Sequence, residues 1–469
     1  MKNVITVLSF AFVSVFFSTV FATNSHAVTM AIVDSGTDLR HIDLMSKAWI
    51  NADEVNNNNA DDDNNGKVDD YNGWNFAEND NKIIDYSYLG TFSNDPYRFF
   101  EIQFKMFNGT ANAEEKQWIR QKREDQDFLA ELQKFGNFVH GTHVAGITAQ
   151  NAKDAKIMGV KLIPTEVKKP FADALAPAMA VALDDGEDPA DNPLIDLLVR
   201  QGLSALAQQQ GKMLEPIGLY LWFEKAKVAN CSFGTSTHAI APLIAQILEA
   251  LYKRKPTEEE TMKYASFFIG EIVANGKQFA IDAKDTFFVI AAGNDGTNND
   301  DMPTYPANIK RLNTLTVAAS FGYAKLASFS NYGSEMVDVA APGVGIRSSI
   351  PGNEYLVVSG TSQASPFVAN VAGRILDTNP NLTFAQLKRI LMDTTDKKDF
   401  LVGKVRSEGI VNAERAVTAA MYTLTKSLDH AIARAILEIP DVKVSKFEAL
   451  DAQEQDDAAM LLPMPQLFR

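Results

Sequence analysis

Cysteine is nearly absent from this 469-residue chain, which carries one, Cys231. A single cysteine excludes an internal disulfide framework. Stability must then come from core burial, with bound metal as a second contributor. Cys231 lies in Val228-Ala-Asn-Cys-Ser-Phe-Gly234, an apolar stretch that predicts a buried strand with the thiol as a small hydrophobe. Basic residues are also in deficit, with 44 Lys and Arg against 59 Asp and Glu, a net charge of −15. That balance argues against nucleic acid and anionic membrane as partners. Beyond the first 22 residues no stretch is long and apolar enough to span a bilayer. Low-complexity segments and solenoid repeats are missing too.

The amino-terminal stretch has the pattern of a cleaved secretory signal. Lys2 supplies a small positive region, Val4 to Ala22 is uncharged and mostly apolar, and Ser25-His-Ala27 places small residues at a cleavage site. Five Ser or Thr in the apolar part weaken the alternative of an uncleaved anchor. No cysteine lies near it, which excludes a lipoprotein signal. The expectation is a secreted or periplasmic protein, without stable membrane insertion once residues 1–27 are removed.

Further along, Val28–Val33, Lys156–Ile163, Val228–Phe233, Phe287–Ala292 and Thr314–Ala319 predict core strands. Helical patterns separate them, notably Gly141–Gln150, Ile240–Tyr252 and Thr261–Val273. Alternating strand and helix predicts an α/β fold, an open parallel sheet with helices on both faces. Three stretches exceed that core: about 79–134, 165–227 and 235–285. They are expected to be helical insertions in surface loops, which tolerate length. Residues 421–469 form a tail, helical to about Leu437 and then irregular and acidic.

Three short segments carry the chemistry. They are Ala31-Ile-Val-Asp34-Ser-Gly36, His140-Gly-Thr-His143-Val-Ala-Gly146 and Ser359-Gly-Thr-Ser362-Gln-Ala-Ser-Pro366. A nucleophilic serine, a histidine base and an orienting aspartate are what acyl transfer requires. Asp34 ends an apolar strand, where sites sit in open parallel sheets. Ser362 precedes an apolar helix, whose first amides point at a developing anion. His140 is expected to open its helix. Each phrase alone is common; their joint occurrence in this order is not.

At these residues the chain resembles the subtilase family of serine proteases, whose chain order is Asp, His, Ser. Other phrases agree, among them Ile157-Met-Gly-Val-Lys161, Ala327-Ser-Phe-Ser-Asn-Tyr-Gly333, Val339-Ala-Ala-Pro-Gly343 and Gly409-Ile-Val-Asn-Ala413. The resemblance implies a subtilisin-like three-layer fold over about residues 28–420, and catalytic roles for Asp34, His140 and Ser362. It implies that Asn294, in Ala291-Ala-Gly-Asn294, gives its side-chain amide to the oxyanion. Ser232, Phe233 and Gly234, with Ala292 and Gly293, are implied as edges of the peptide-binding cleft. The expected function is an exported serine endopeptidase acting on peptides or proteins through an acyl-enzyme. The alternative is a weakly active or inactive scaffold, a calcium-stabilised protein-binding module.

The chain departs from the family at three points. The catalytic strand is expected to follow the signal at once, without the pro-segment that the family usually carries there, unless the start is mis-set. Asn151–Ala155 is too short for the calcium loop that many members carry there, so Asp43 is expected to lack that ion. The residue after the nucleophile is Gln363 where Met is usual. Among the other histidines, His143 is one turn past His140, and no third ligand motif supports a zinc site. His41 matches a non-catalytic histidine, His26 leaves with the signal, and His238 and His430 have no motif.

An acidic loop is the second informative stretch. Asp61, Asp63, Asn65, Gly66 and Asp69 fall at positions 1, 3, 5, 6 and 9 of a calcium loop. Asn72 stands where an EF-hand has its bidentate Glu, and no flanking helix pair is evident. The expectation is a structural Ca2+ held by Asp61, Asp63, Asn65 and Asp69. The alternative is a solvated polar loop, which the run Asn56–Asn59 favours.

Overall fold

A computed structural model describes residues 27–166, 190 and 192–444. The leader expected at 1–27 falls almost wholly outside these residues, as does the chain end from 445. The sheet order is Asp396–Lys397, Gly409–Ile410, Val339–Pro342, Thr314–Phe321, Phe287–Ala291, Val228–Cys231, Thr29–Asp34, Lys156–Lys161, Gly73–Asn75. All neighbours on this path are parallel except the first pair. This is the α/β architecture that the strand and helix patterns predict.

Alternation along one strand explains the three layers. Met30 and Ile32 point into one core, and Ala31 and Val33 into the other. The first core also contains Val144, Val368 and Ile375, from the helices that carry His140 and Ser362. The second contains Leu203, Leu221, Ile244 and Ile269, from helices Pro193–Gly211, Glu215–Phe223, Thr237–Tyr252 and Glu258–Asn275. Cys231 is buried there, and burial raises its thiol pKa. Among the described residues, no helix is long and apolar enough to cross a membrane.

Two expectations change. His140 does not open a helix: it is deep inside a 24-residue one, Gln126–Ala149. Asp125 caps that helix by accepting from the Phe128 amide at 3.0 Å. Phe128, Leu132, Phe135 and Val139 then continue a buried helical stripe straight into the His140 phrase. The segment 79–134 is also more than surface decoration. Its helices Asp95–Phe107 and Ala113–Lys122 place Phe99, Phe100, Phe107 and Ile119 in the same core as Met30 and Ile32.

Candidate active site

Asp34 ends its strand with its carboxylate fully buried. Oδ1 accepts from the Ser35 amide at 2.7 Å and from His140 Nδ1 at 2.7 Å. A carboxylate only accepts, so Nδ1 carries the proton and Nε2 is left as the base. Close approach depends on Gly141, because a Cβ there would stand 2.2 Å from the Gly36 carbonyl oxygen.

Ser362 is the second residue of the helix Thr361–Thr378. Pro366 lacks an N–H and cannot bond the Ser362 carbonyl in the usual helical way. Ser232 Oγ fills that place, donating to Ser362 O at 3.0 Å. In return Ser362 Oγ donates to Ser232 O at 3.2 Å. No hydrogen bond joins Ser362 to His140 among the described residues. Catalytic hydrogen bonds are often loose without substrate and tighten when it binds. Asn230 holds this junction from behind, donating to Ser232 Oγ at 2.8 Å and accepting from Ser365 Oγ at 2.8 Å.

Asn294 is oriented by its neighbour. Its Oδ1 accepts from Thr361 N at 2.9 Å and Thr361 Oγ1 at 2.8 Å, so Nδ2 is turned away as a free donor. A Cβ built on Gly360 would lie 3.5 Å from Asn294 Nδ2 and 3.7 Å from Ser362 N. Two donors therefore border one small space beside the nucleophile. That arrangement fits a developing oxyanion.

Comparison with known proteins bears on this geometry. The subtilase family profile matches residues 25–414. This chain belongs to the subtilase family. The subtilisin-like protease 2 of Plasmodium falciparum is 27% identical over 194 residues, 40% of this chain and 14% of that protein. Alkaline elastase YaB of a Bacillus strain is 36% identical over 136 residues, 29% of this chain and 33% of the elastase. A subtilisin of Bacillus pumilus is 40% identical over 129 residues, 27% of this chain and 44% of the subtilisin. This subtilase thus spans less than half the length of each. A solved cold-adapted subtilisin-like serine proteinase covers 83% of the chain and is itself covered to 88%, at 19% identity and a TM-score of 0.40. The A-subunit of the AB5 toxin from E. coli covers 84% and is covered to 93%, at 18% identity and a TM-score of 0.42.

The two segments expected as cleft edges differ. The Ala292 amide donates to Val317 O at 3.0 Å, and the Ala292 carbonyl accepts from Asn299 Nδ2 at 2.9 Å. Gly293 bonds Thr361 Oγ1 and the Asn331 amide. Internal partners therefore occupy the Ala292–Gly293 backbone. Among the described residues, no hydrogen bond engages the backbone of Phe233 or Gly234, and both residues are buried. The Phe233 side chain is core.

The remaining histidines have structural partners. His143 Nε2 donates to Leu356 O at 3.1 Å, and burial lowers its pKa to about 3. His41 Nε2 donates to Glu354 O at 3.1 Å. Asp43 accepts from Ser349 Oγ at 2.9 Å. Gln363 is buried beside the nucleophile, and its Nε2 has no hydrogen-bond partner.

The acidic loop distributes its carboxylates unevenly. Asp61 accepts from the amides of Asn65 and Gly66, and Asp69 from those of Asn58 and Asn59. Both act as loop staples. Asp63 Oδ1 likewise accepts from the Asn65 amide at 3.0 Å, while Asp63 Oδ2 and the Asn65 side chain also meet residues outside the calcium-loop spacing. Carboxylate oxygens of Glu54, Asp63 and Asp70 lie within 4.8 Å of one another. Asn65 Nδ2 reaches Asp63, Asp70 and, at 2.9 Å, Glu224. Burial raises the pKa of Glu54 and Asp70, and that of Glu224 to about 7. Glu54 and Glu224 lie seven residues before the loop motif and 155 after Asp69, so spacing gave no signal for either.

Proposed function

We propose that this subtilase is an exported serine endopeptidase that hydrolyses peptide bonds through an acyl-enzyme. The observation carrying this reading is the buried 2.7 Å bond between His140 Nδ1 and Asp34, in a chain whose Ser362 stands at a helix start. On substrate binding the Ser362 hydroxyl leaves Ser232 O and gives its proton to His140 Nε2. The oxygen then attacks the scissile carbonyl, and Asn294 Nδ2 and the Ser362 amide receive the oxyanion. Protonated His140, steadied by Asp34, returns the proton to the leaving amine. Water then repeats the sequence on the acyl-enzyme. The backbone of Phe233 and Gly234, which no internal hydrogen bond engages among the described residues, is the edge that would pair with an extended peptide substrate.

A fluorophosphonate probe tests the reading. It is expected to label the wild-type chain on Ser362 and to leave Ser362→Ala unlabelled. Absence of labelling in a folded wild-type chain would support the alternative, a scaffold without activity. The signal-like leader supports a secreted or periplasmic location, checked by sequencing the amino terminus of the exported form.

A further inference from the structure

We propose that the side-chain amide of Gln363 is a third donor to the oxyanion, beside Asn294 Nδ2 and the Ser362 amide. The assignment rests on the peptidase reading and adds a residue to it that the triad order does not mark.

Three observations carry it. The first is burial without a partner. Gln363 is 1% exposed, and among the described residues its Nε2 makes no hydrogen bond. A buried, unpaired amide donor costs stability, and a partner that forms during the reaction accounts for its retention. The second is place. A Cβ built on Gly360 would stand 2.8 Å from Gln363 Oε1, 3.5 Å from Asn294 Nδ2 and 3.7 Å from Ser362 N. The end of the Gln363 side chain therefore borders the same small space as the other two donors. The third is anchorage. Gln363 N donates to Gly360 O at 3.1 Å, in the first turn of the helix that carries Ser362. The backbone of Gln363 is thereby fixed to the nucleophile's own turn, and only side-chain torsions adjust its amide.

Electrostatics decides which end of that amide meets the reaction. In the resting site Oε1 is the end nearer Gly360. An oxyanion in this space repels a carbonyl oxygen and attracts an N–H. A half-turn of the terminal torsion, which is broad and roughly two-fold, exchanges the two ends. Nε2 gives up no hydrogen bond in that turn. It then donates where negative charge develops, and no proton is transferred. The methionine usual at this position has no N–H to offer.

Steady-state hydrolysis of a chromogenic peptide by the full chain tests the assignment. Gln363→Met keeps a similar volume and should lower kcat by about 10-fold, with KM within about 2-fold of the wild type. Gln363→Leu should match it, since neither side chain carries an N–H, and it covers the case in which Gln363→Met fails to fold. A peptide boronic acid, whose tetrahedral adduct on Ser362 places an oxygen in the oxyanion space, should bind the Met variant about 10-fold more weakly. The carboxylate product peptide, which forms no adduct, should bind wild type and variant alike, a split that a packing role would not produce. Wild-type kcat in a folded Met or Leu variant would overturn the third donor, as would equal weakening of boronate and product peptide. Either result leaves the peptidase reading standing. A folded wild type that neither hydrolyses the peptide nor reacts with a fluorophosphonate would overturn both.

Discussion

Asp34 and Asp70 are both fully buried carboxylates, and their surroundings are opposite. Asp34 faces one imidazole N–H and one backbone amide, each at 2.7 Å. Asp70 faces other carboxylates and two asparagine amides. Near Asp34 a positive charge appears on the neighbouring ring during the proposed reaction, so the buried anion is matched when it is needed. Around Asp70 only neutral donors face the carboxylate, and no lysine or arginine forms an ion pair with it among the described residues. Burial alone does not say what a carboxylate does; its partners do. The two sites should therefore respond in opposite ways to neutralisation.

The largest effect tests the Asp34 side. Ser362→Ala or His140→Ala should lower kcat by about 10⁶-fold, a magnitude known from triad deletions in subtilisin rather than calculated for this chain. Steady-state hydrolysis of a chromogenic peptide measures it, and near-normal turnover in a folded variant would refute the mechanism. Asp34→Asn should cost about 10⁴-fold, because the amide offers a donor to Nδ1 and selects the wrong tautomer. Asn294→Ala comes next, with kcat lowered by about 10²- to 10³-fold and KM little changed. A raised KM at constant kcat would move Asn294 into substrate binding.

The loop side should show the reversed sign. In chelator, Asp70→Asn removes one of the repelling charges and is expected to raise the melting temperature by about 2 °C. If the acidic loop holds calcium, the same variant should melt below the wild type in excess calcium. A variant less stable than wild type under both conditions would erase the contrast with Asp34.

His143 adds the smallest effect. It is neutral in the fold, with a pKa of about 3 against the ordinary 6.5. Between those values the unfolded chain binds a proton that the native chain does not. Stability is therefore lost as pH falls through that window, by up to about 1.4 kcal/mol per pH unit for one proton. His143→Gln should flatten the slope of denaturant stability between pH 6 and 4. An unchanged slope would mean that His143 is protonated in the native state.

Much of this protein was legible in the sequence because the relevant signals are local. Continuous apolar runs predict strands at Phe287–Ala292 and Thr314–Ala319, and the sheet contains strands Phe287–Ala291 and Thr314–Phe321. Asp34, His140, Ser362 and Asn294 stand out because each reactive type is flanked by glycine or alanine, which close approach requires. Only the tertiary structure decided which distant groups meet. His140 became mid-helical because a cap at Asp125 and a stripe of phenylalanines, packed against other elements, extended the helix backward. Ser232 became the partner of Ser362 because Pro366 left a carbonyl unpaired and the neighbouring strand end supplied a hydroxyl. Glu54 and Asp70 met Asp63, and Asn65 reached Glu224, because folding brings the loop against the end of the helix Glu215–Phe223. Spacing along a chain encodes which groups share a turn, whereas convergence of groups more than 100 residues apart depends on how whole elements pack.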